Sequence, residues 1–337
     1  MSEDWDGRPQ SDAGGKLQGG GKQGGGRLQG EVNQGGGNQG GGRLQDEVNQ
    51  GGKLQGGGKP HPYITHTRSQ ISRNVGAGLA PALQIQTDRH TPAPTQVNPA
   101  FQPFLEGLHQ LGLELTEKQL DQFLWYRQEL LDWNTRINLT AISDPDEVLI
   151  KHFLDSLSLL MMYDAPKARL LDIGAGAGFP GLPLKIVRPQ WHIVLLEATG
   201  KKVKFLQHII ETLQLKGVVA VHGRAEELAH KAEYRGSFTV VTARAVASLT
   251  ALVEYAAPCC RLGGQMIFPK KGDLTEELAR GKRAASYVGA RFKADVPVTL
   301  PGLDDGRRLL MWEQVGKCPE QYPRSGSVIS KKPLGLP

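Results

Sequence analysis

Cysteine is scarce in this chain: Cys259, Cys260 and Cys318 are the whole supply among 337 residues. Two adjacent thiols and one distant thiol build no disulfide framework, and they fit no metal-ligand spacing. A reducing compartment is therefore the expected setting, with no metal. No run of about 18 apolar residues occurs, so a helical membrane span is not expected. The start, Met-Ser-Glu-Asp-Trp-Asp, is acidic where a secretory signal needs a basic and then an apolar stretch. The expectation is a soluble, intracellular protein. Aromatic residues amount to 6%, which leaves few exposed rings for stacking bases. Charge of one sign is also in short supply. The net charge is +6, and residues 1–100 hold 10 Lys and Arg against 8 Asp and Glu, which leaves +4 for the remainder. That excess permits a nucleic-acid partner without demanding one.

Glycine is abundant, but unevenly so. Of 43 glycines, twenty fall between Gly14 and Gly58. Residues 27–42 and 43–58 repeat with a 16-residue period, shorter than stacked repeat architectures use, and each unit offers little beyond a Leu and a Val to bury. Ordering so much glycine is costly, so residues 1–100 are expected to be a disordered Gly-rich repeat and linker. One further expectation is that this stretch is translated upstream repeat, with a later non-ATG start such as Val75 or Val97. The remaining 237 residues suffice for one sizeable core. Their expected division is a helical layer over 101–165 and a sheet domain with a basic tail over 166–337.

Thr116 followed by Gln119 is a capping-box pattern, and Leu120, Phe123, Leu124, Leu130, Leu131 and Trp133 follow at helical spacing. A second helix is expected to open at Asp144-Pro145, with Glu147 reaching back to its start. On it His152, Asp155 and Ser156 share one face, a polar notch among Leu and Phe. Asn138 and Thr140 suit a structured loop between the two helices. From Arg169 onward short apolar runs alternate with helical segments. Strands are expected at 170–173, 192–196, 218–221, 238–242, 265–268 and 309–313. The helices between them centre near Lys185, Phe205, Glu227, Val253 and Leu278. The pattern argues an α/β fold with a doubly wound, mostly parallel sheet, whose ligands bind beyond the carboxyl ends of the strands.

The first strand ends in Leu-Asp-Ile-Gly-Ala-Gly-Ala-Gly-Phe-Pro-Gly, residues 171–181. Gly176, Gly178 and Gly181 formally satisfy the dinucleotide fingerprint, a weak signal alone. Asp172 sets a carboxylate beside the expected pocket, which repels a pyrophosphate and suits a ligand with an amino group. Glu197 closes the second strand, 23 residues after Gly174, where an acid can accept from both ribose hydroxyls. Together they favour an S-adenosylmethionine site over a nicotinamide one. An NAD-type oxidoreductase on the same sheet, or a non-catalytic rRNA-binding assembly factor, stands as the alternative reading.

The run 172–189, with Asn138-Leu139-Thr140, His152, Asp155-Ser156, Lys201-Lys202, Arg244-Ala245 and the tail Tyr322-Pro323-Arg324, resembles the ribosomal RNA small subunit methyltransferase G family. The resemblance runs from about residue 104 to the end. It implies a class I, Rossmann-like fold and a cytoplasmic enzyme that methylates guanine N7 in the decoding-region hairpin of 16S rRNA, free or in a small-subunit precursor particle. It places cofactor contacts at Gly174, Phe179, Glu197, Ala198, Thr199, Ala225, Glu226 and Arg244. Arg244 stands at the junction with the substrate. The wider RNA candidates are His152, Asp155, Ser156, Lys270, Lys271 and Arg324. N7 carries a free lone pair, so no general base is expected and no catalytic acid or base is named. Cys259 and Cys260 read as packing residues rather than nucleophiles.

Overall fold

The computed structural model describes residues 101–335; the expectations for residues 1–100 lie outside the described residues. Helix α1 (Gln102–Gln110) carries proline in its first turn and buries Phe104 and Leu108. Sequence reading missed it, because nine residues are too few for a periodic signal to stand out. Helix α2 (Glu117–Asn134) has the expected reciprocal capping box between Thr116 and Gln119. Its polar side chains also tie it to the rest of the core: Gln119 donates to the Ile186 carbonyl at 2.9 Å, and Gln122 to that of Leu213 at 3.1 Å.

Helix α3 (Pro145–Val148) opens as expected at Asp144, whose carboxylate accepts from the Asp146 and Glu147 amides at 2.9 and 2.8 Å. Glu147 does not reach back. Its carboxylate pairs with Lys151 one turn on, at 2.5 Å, because Asp144 already satisfies the exposed amides. The chain continues through a π-helical turn (Leu149–Leu154), helix α4 (Asp155–Leu157) and a 3-10 turn (Ser158–Met161). Such π-turns change which side chains share a face.

Strands β1 (Arg169–Ile173), β2 (His192–Glu197), β3 (Val218–His222), β4 (Phe238–Thr242), β5 (Cys260–Lys271), β6 (Ala290–Pro297) and β7 (Arg307–Gln314) form one sheet. Helices α5 (Gly181–Val187), α6 (Gly200–Thr212), α7 (Ala225–Leu228), α8 (Leu249–Ala256) and α9 (Thr275–Tyr287) connect them, and α10 (Gly326–Lys331) follows. The strand order is β3-β2-β1-β4-β5-β7-β6, parallel except that β7 runs antiparallel to β5 and β6. This is the doubly wound, mostly parallel sheet expected of a class I methyltransferase. Strand β6 was not anticipated. It lies at the sheet edge, and the alternation of Ala290, Phe292, Ala294 and Val296 with Arg291, Lys293 and Asp295 was a strand signal that sequence reading passed over.

Side chains alternate along β1 and β2. Leu170, Ile193 and Leu195 enter the core shared with α1, α2, α5 and α6, while Leu171, Ile173, Val194 and Leu196 enter the one under α8 and α9. The order reverses between β1 and β4, and that is where such sheets hold ligands. No helix among the described residues is long and apolar enough to cross a membrane.

Candidate active site

The loop after β1 takes positive φ at Gly174 (68°), Gly176 (59°) and Gly178 (99°), which side chains resist. Glu197, buried at the end of β2, holds this loop against its own strand. One carboxylate oxygen accepts from the Gly176 amide at 2.9 Å, the other from the Thr199 amide at 2.8 Å. The acid expected to meet ribose hydroxyls thus braces the backbone first, with further lone pairs left on each oxygen. Asp172 differs from expectation. It is fully buried beneath the loop rather than on a pocket wall, and Oδ2 accepts from the Gly181 amide, the first of α5, at 2.9 Å. Burial pushes its carboxyl up to about 7, and Oδ1 has no partner among the described residues. The amide that a dinucleotide pyrophosphate would need is therefore already taken by the protein's own carboxylate.

Gly174 and Ala198 share a pocket of about 140 Å³ with Ala225 and Glu226, at the carboxyl ends of β1, β2 and β3. Val246 leans across it: a Cβ on Gly174 would stand 2.6 Å from a Val246 methyl, so only glycine fits there. A bare backbone at β1 and acids near the ends of β2 and β3 suit the amino acid and adenosyl parts of S-adenosylmethionine. The capped start of α5 does not suit NAD.

A second pocket, of about 370 Å³, is lined by Lys151, His152, Asp155, Arg244, Lys270 and Arg307 among others. Arg244 is its hub. Nη1 donates to Asp155 Oδ2 at 2.6 Å, Nη2 to His152 Nδ1 at 3.1 Å, and its guanidinium carbon sits 4.9 Å from the Phe179 ring centroid. Arg307 holds the other Asp155 oxygen at 2.8 Å. Because Arg244 has only hydrogens to give, Nδ1 of His152 is the bare nitrogen. Nε2 then donates to Thr140 Oγ1 at 2.6 Å. Burial and the positive charge of Arg244 push the His152 imidazole down to about 3, so the ring is neutral. Phe179 stacks on His152 at 4.5 Å and on Tyr126 at 5.7 Å, while the Tyr126 hydroxyl donates to the Ala177 carbonyl.

The fold thus brings Gly174, Ala198, Ala225 and Glu226 to one pocket, and His152, Asp155, Arg244, Lys270 and Lys271 to the other. Phe179 packs beneath His152 and Arg244, and Thr199 takes part through its backbone. Ser156 departs from the notch: its hydroxyl donates to the His152 carbonyl at 2.5 Å, inside the helix. Arg324 lines neither pocket. Both arms of its fork engage the fully buried Glu254, at 2.8 and 2.7 Å. Sequence reading left Tyr126 out of the stripe on α2, although it stands three residues after Phe123 and four before Leu130. It passed over Asn134, whose side chain accepts from the Leu139 and Thr140 amides and folds the loop that carries Thr140. Arg307 stands beside Arg308 in the sequence, a basic pair that carries no mark of this pocket.

Comparison with known proteins agrees with this geometry. The profile of the family described as rRNA small subunit methyltransferase G matches residues 119–300. A protein named ribosomal RNA small subunit methyltransferase G from Dehalococcoides mccartyi is 48% identical over 228 residues, 68% of this chain and 97% of that relative. Namesakes from Roseiflexus castenholzii and Lachnoclostridium phytofermentans are 44% and 43% identical, each covering at least 95% of the relative. The profile covers more than half of the chain and these relatives are matched over nearly their whole length: the chain belongs to the rRNA small subunit methyltransferase G family.

Proposed function

We propose that the chain transfers a methyl group from S-adenosylmethionine to N7 of a guanine in the decoding-region hairpin of 16S rRNA. The substrate is the free RNA or a small-subunit precursor particle, in the cytoplasm. The observation that carries this reading is the shared wall between the pockets. In residues 243–248, Val246 faces the smaller pocket, while Arg244 and Ala245 line the larger one. Gly174, Ala198, Ala225 and Glu226 would hold the cofactor, with Glu197 and the Thr199 backbone at the end of β2. When bound, the cofactor supplies an electrophilic methyl group, which a lone-pair nitrogen accepts without giving up a proton.

The residues of the larger pocket suit that chemistry. His152 is neutral with both nitrogens engaged, and each Asp155 oxygen meets a guanidinium. Neither group stands ready to remove a proton, as methylation of an amino group would require. Positioning then supplies the rate, and the remaining N–H groups of Arg244 can donate in their own plane to an RNA phosphate. Mass mapping of 7-methylguanosine in 16S rRNA from cells with and without the gene tests the proposal. Loss of one N7 mark is expected, and an unchanged mark overturns it. A melting temperature raised by S-adenosylmethionine but not by NAD checks the cofactor separately.

A further inference from the structure

The larger pocket contains an aromatic ring whose edge is fully occupied and whose remaining asset is its face. His152 gives Nε2–H to Thr140 and takes a hydrogen from Arg244, and both bonds lie along the ring edge. Phe179 lies nearly parallel to the ring, at 4.5 Å with 18° between planes. Arg244 and His152 are hydrogen-bonded to each other at 3.1 Å while both pack on Phe179, so they lie side by side on one face of it. The pair forms a small flat tray, with an imidazole in one half and a guanidinium in the other. Tyr126 backs Phe179 at 5.7 Å, and Thr140 is fixed in turn by the Ile142 amide at 3.0 Å. Ile142 and Pro269 line the same pocket as the two side chains.

We infer that the His152–Arg244 tray is the stacking platform for the target purine, so that His152 positions the base through its face. The inference rests on the reading above that the base enters this pocket. A bicyclic purine matches two side-by-side planar groups, and 370 Å³ accommodates one base extruded from its stack. The ring's neutrality gives the platform a further effect. As the N7–methyl bond forms, the purine gains positive charge, which a neutral π-face attracts and an imidazolium would repel. Arg244 shares the single charge of Asp155 with Arg307, so the gain comes from the imidazole half. The interaction therefore strengthens on the way to the transition state, and its loss is read in kcat more than in KM.

The test uses the full chain, S-adenosylmethionine and small-subunit particles from cells lacking the gene. Wild type is compared with His152→Phe, which keeps a ring face and loses the edge bonds, and with His152→Gln, which keeps hydrogen-bonding groups and loses the face. The expected order of kcat is wild type, then Phe, then Gln. The Gln variant should be lower than wild type by on the order of tenfold or more, the size of a lost base–aromatic stack. Its KM for the cofactor should stay within about twofold of wild type. A Gln variant as fast as the Phe variant, or faster, overturns the platform, because the edge bonds would then be the ring's contribution. A melting scan of each variant shows that the comparison is between folded proteins. Identifying the methylated nucleoside separates the two readings. Transfer to another atom overturns guanine N7 but leaves the variant order as the test of the platform, whereas no transfer by wild type overturns both.

Discussion

Asp172 shows how one side chain can exclude a ligand class and also set a pH response. Its Oδ2 caps α5 while burial raises its carboxyl to about 7; Arg244 counteracts that rise and Glu197 adds to it. An acid whose folded pKa exceeds its unfolded value, about 4, is protonated in the folded chain between those limits. The folded state then binds more protons than the unfolded one, so this residue's contribution to stability falls as pH rises from about 4 to about 7. Asp172→Asn keeps an acceptor for the Gly181 amide and removes the titration. Its melting temperature, measured without cofactor, should gain on wild type between pH 5 and pH 8. A difference that stays constant across that range would show that the carboxyl does not titrate there. The sequence alone could identify Asp172 as an acid near a glycine-rich turn. Its direction could not be read, because whether a strand-end carboxylate faces solvent or the next helix depends on how tightly the loop folds back.

At the scale of elements, the loop from β4 to α8 determines how the two pockets relate. Ala245 takes φ 58°, unusual for a residue with a side chain, and turns Arg244 and Val246 to opposite sides. Lys270 fastens its far end. Its ammonium donates to the Ala247 carbonyl at 3.0 Å and to Glu277 at 2.8 Å, and the same Glu277 oxygen accepts from the first amide of α8. Lys270 and Lys271 are both RNA candidates by sequence; here Lys270 is engaged within the protein, whereas Lys271 is exposed with a loose pairing to Asp305 at 3.7 Å. Lys271→Gln should therefore reduce the salt slope of RNA binding by about one, while Lys270→Gln should lower turnover with the slope unchanged. Filter binding across a salt series distinguishes them, and equal slopes for both variants would reject the division. The strands and helices around this loop are legible because Leu, Val and Ile alternate there. The loop's fastening is not, since Glu277 lies on a different helix and no local pattern marks the pair.

For the whole molecule, formal charge describes the surface poorly. Much of the basic side-chain content is used internally, and the C-terminal segment shows it best. Arg235 donates to the carbonyls of Cys318, Pro319 and Tyr322, His230 contacts that of Pro323, and Arg283 donates to that of Gly335. Arg324 neutralises Glu254, which has no exposed surface. Arg324 is itself partly exposed, so water screens the pair, but its removal leaves the Glu254 oxygens short of donors, and Arg324→Ala should cost about 1–3 kcal/mol in denaturant unfolding. A loss below about 1 kcal/mol would show that the tail docks without this pair. Runs such as 307–308 and 331–332 signal basic character in the sequence, but only the folded chain shows which cations are engaged.

The six residues that separate the pockets also constrain inhibition. A compound filling the smaller pocket beyond what Val246 allows must push that side chain aside. Arg244, two residues earlier in the same short segment, would then shift off Phe179 and Asp155. Such a compound would compete with the cofactor and also raise the KM for RNA. A compound that stops short of Val246 would show only the first effect. Steady-state inhibition patterns alone would thus measure how far a ligand reaches along the wall.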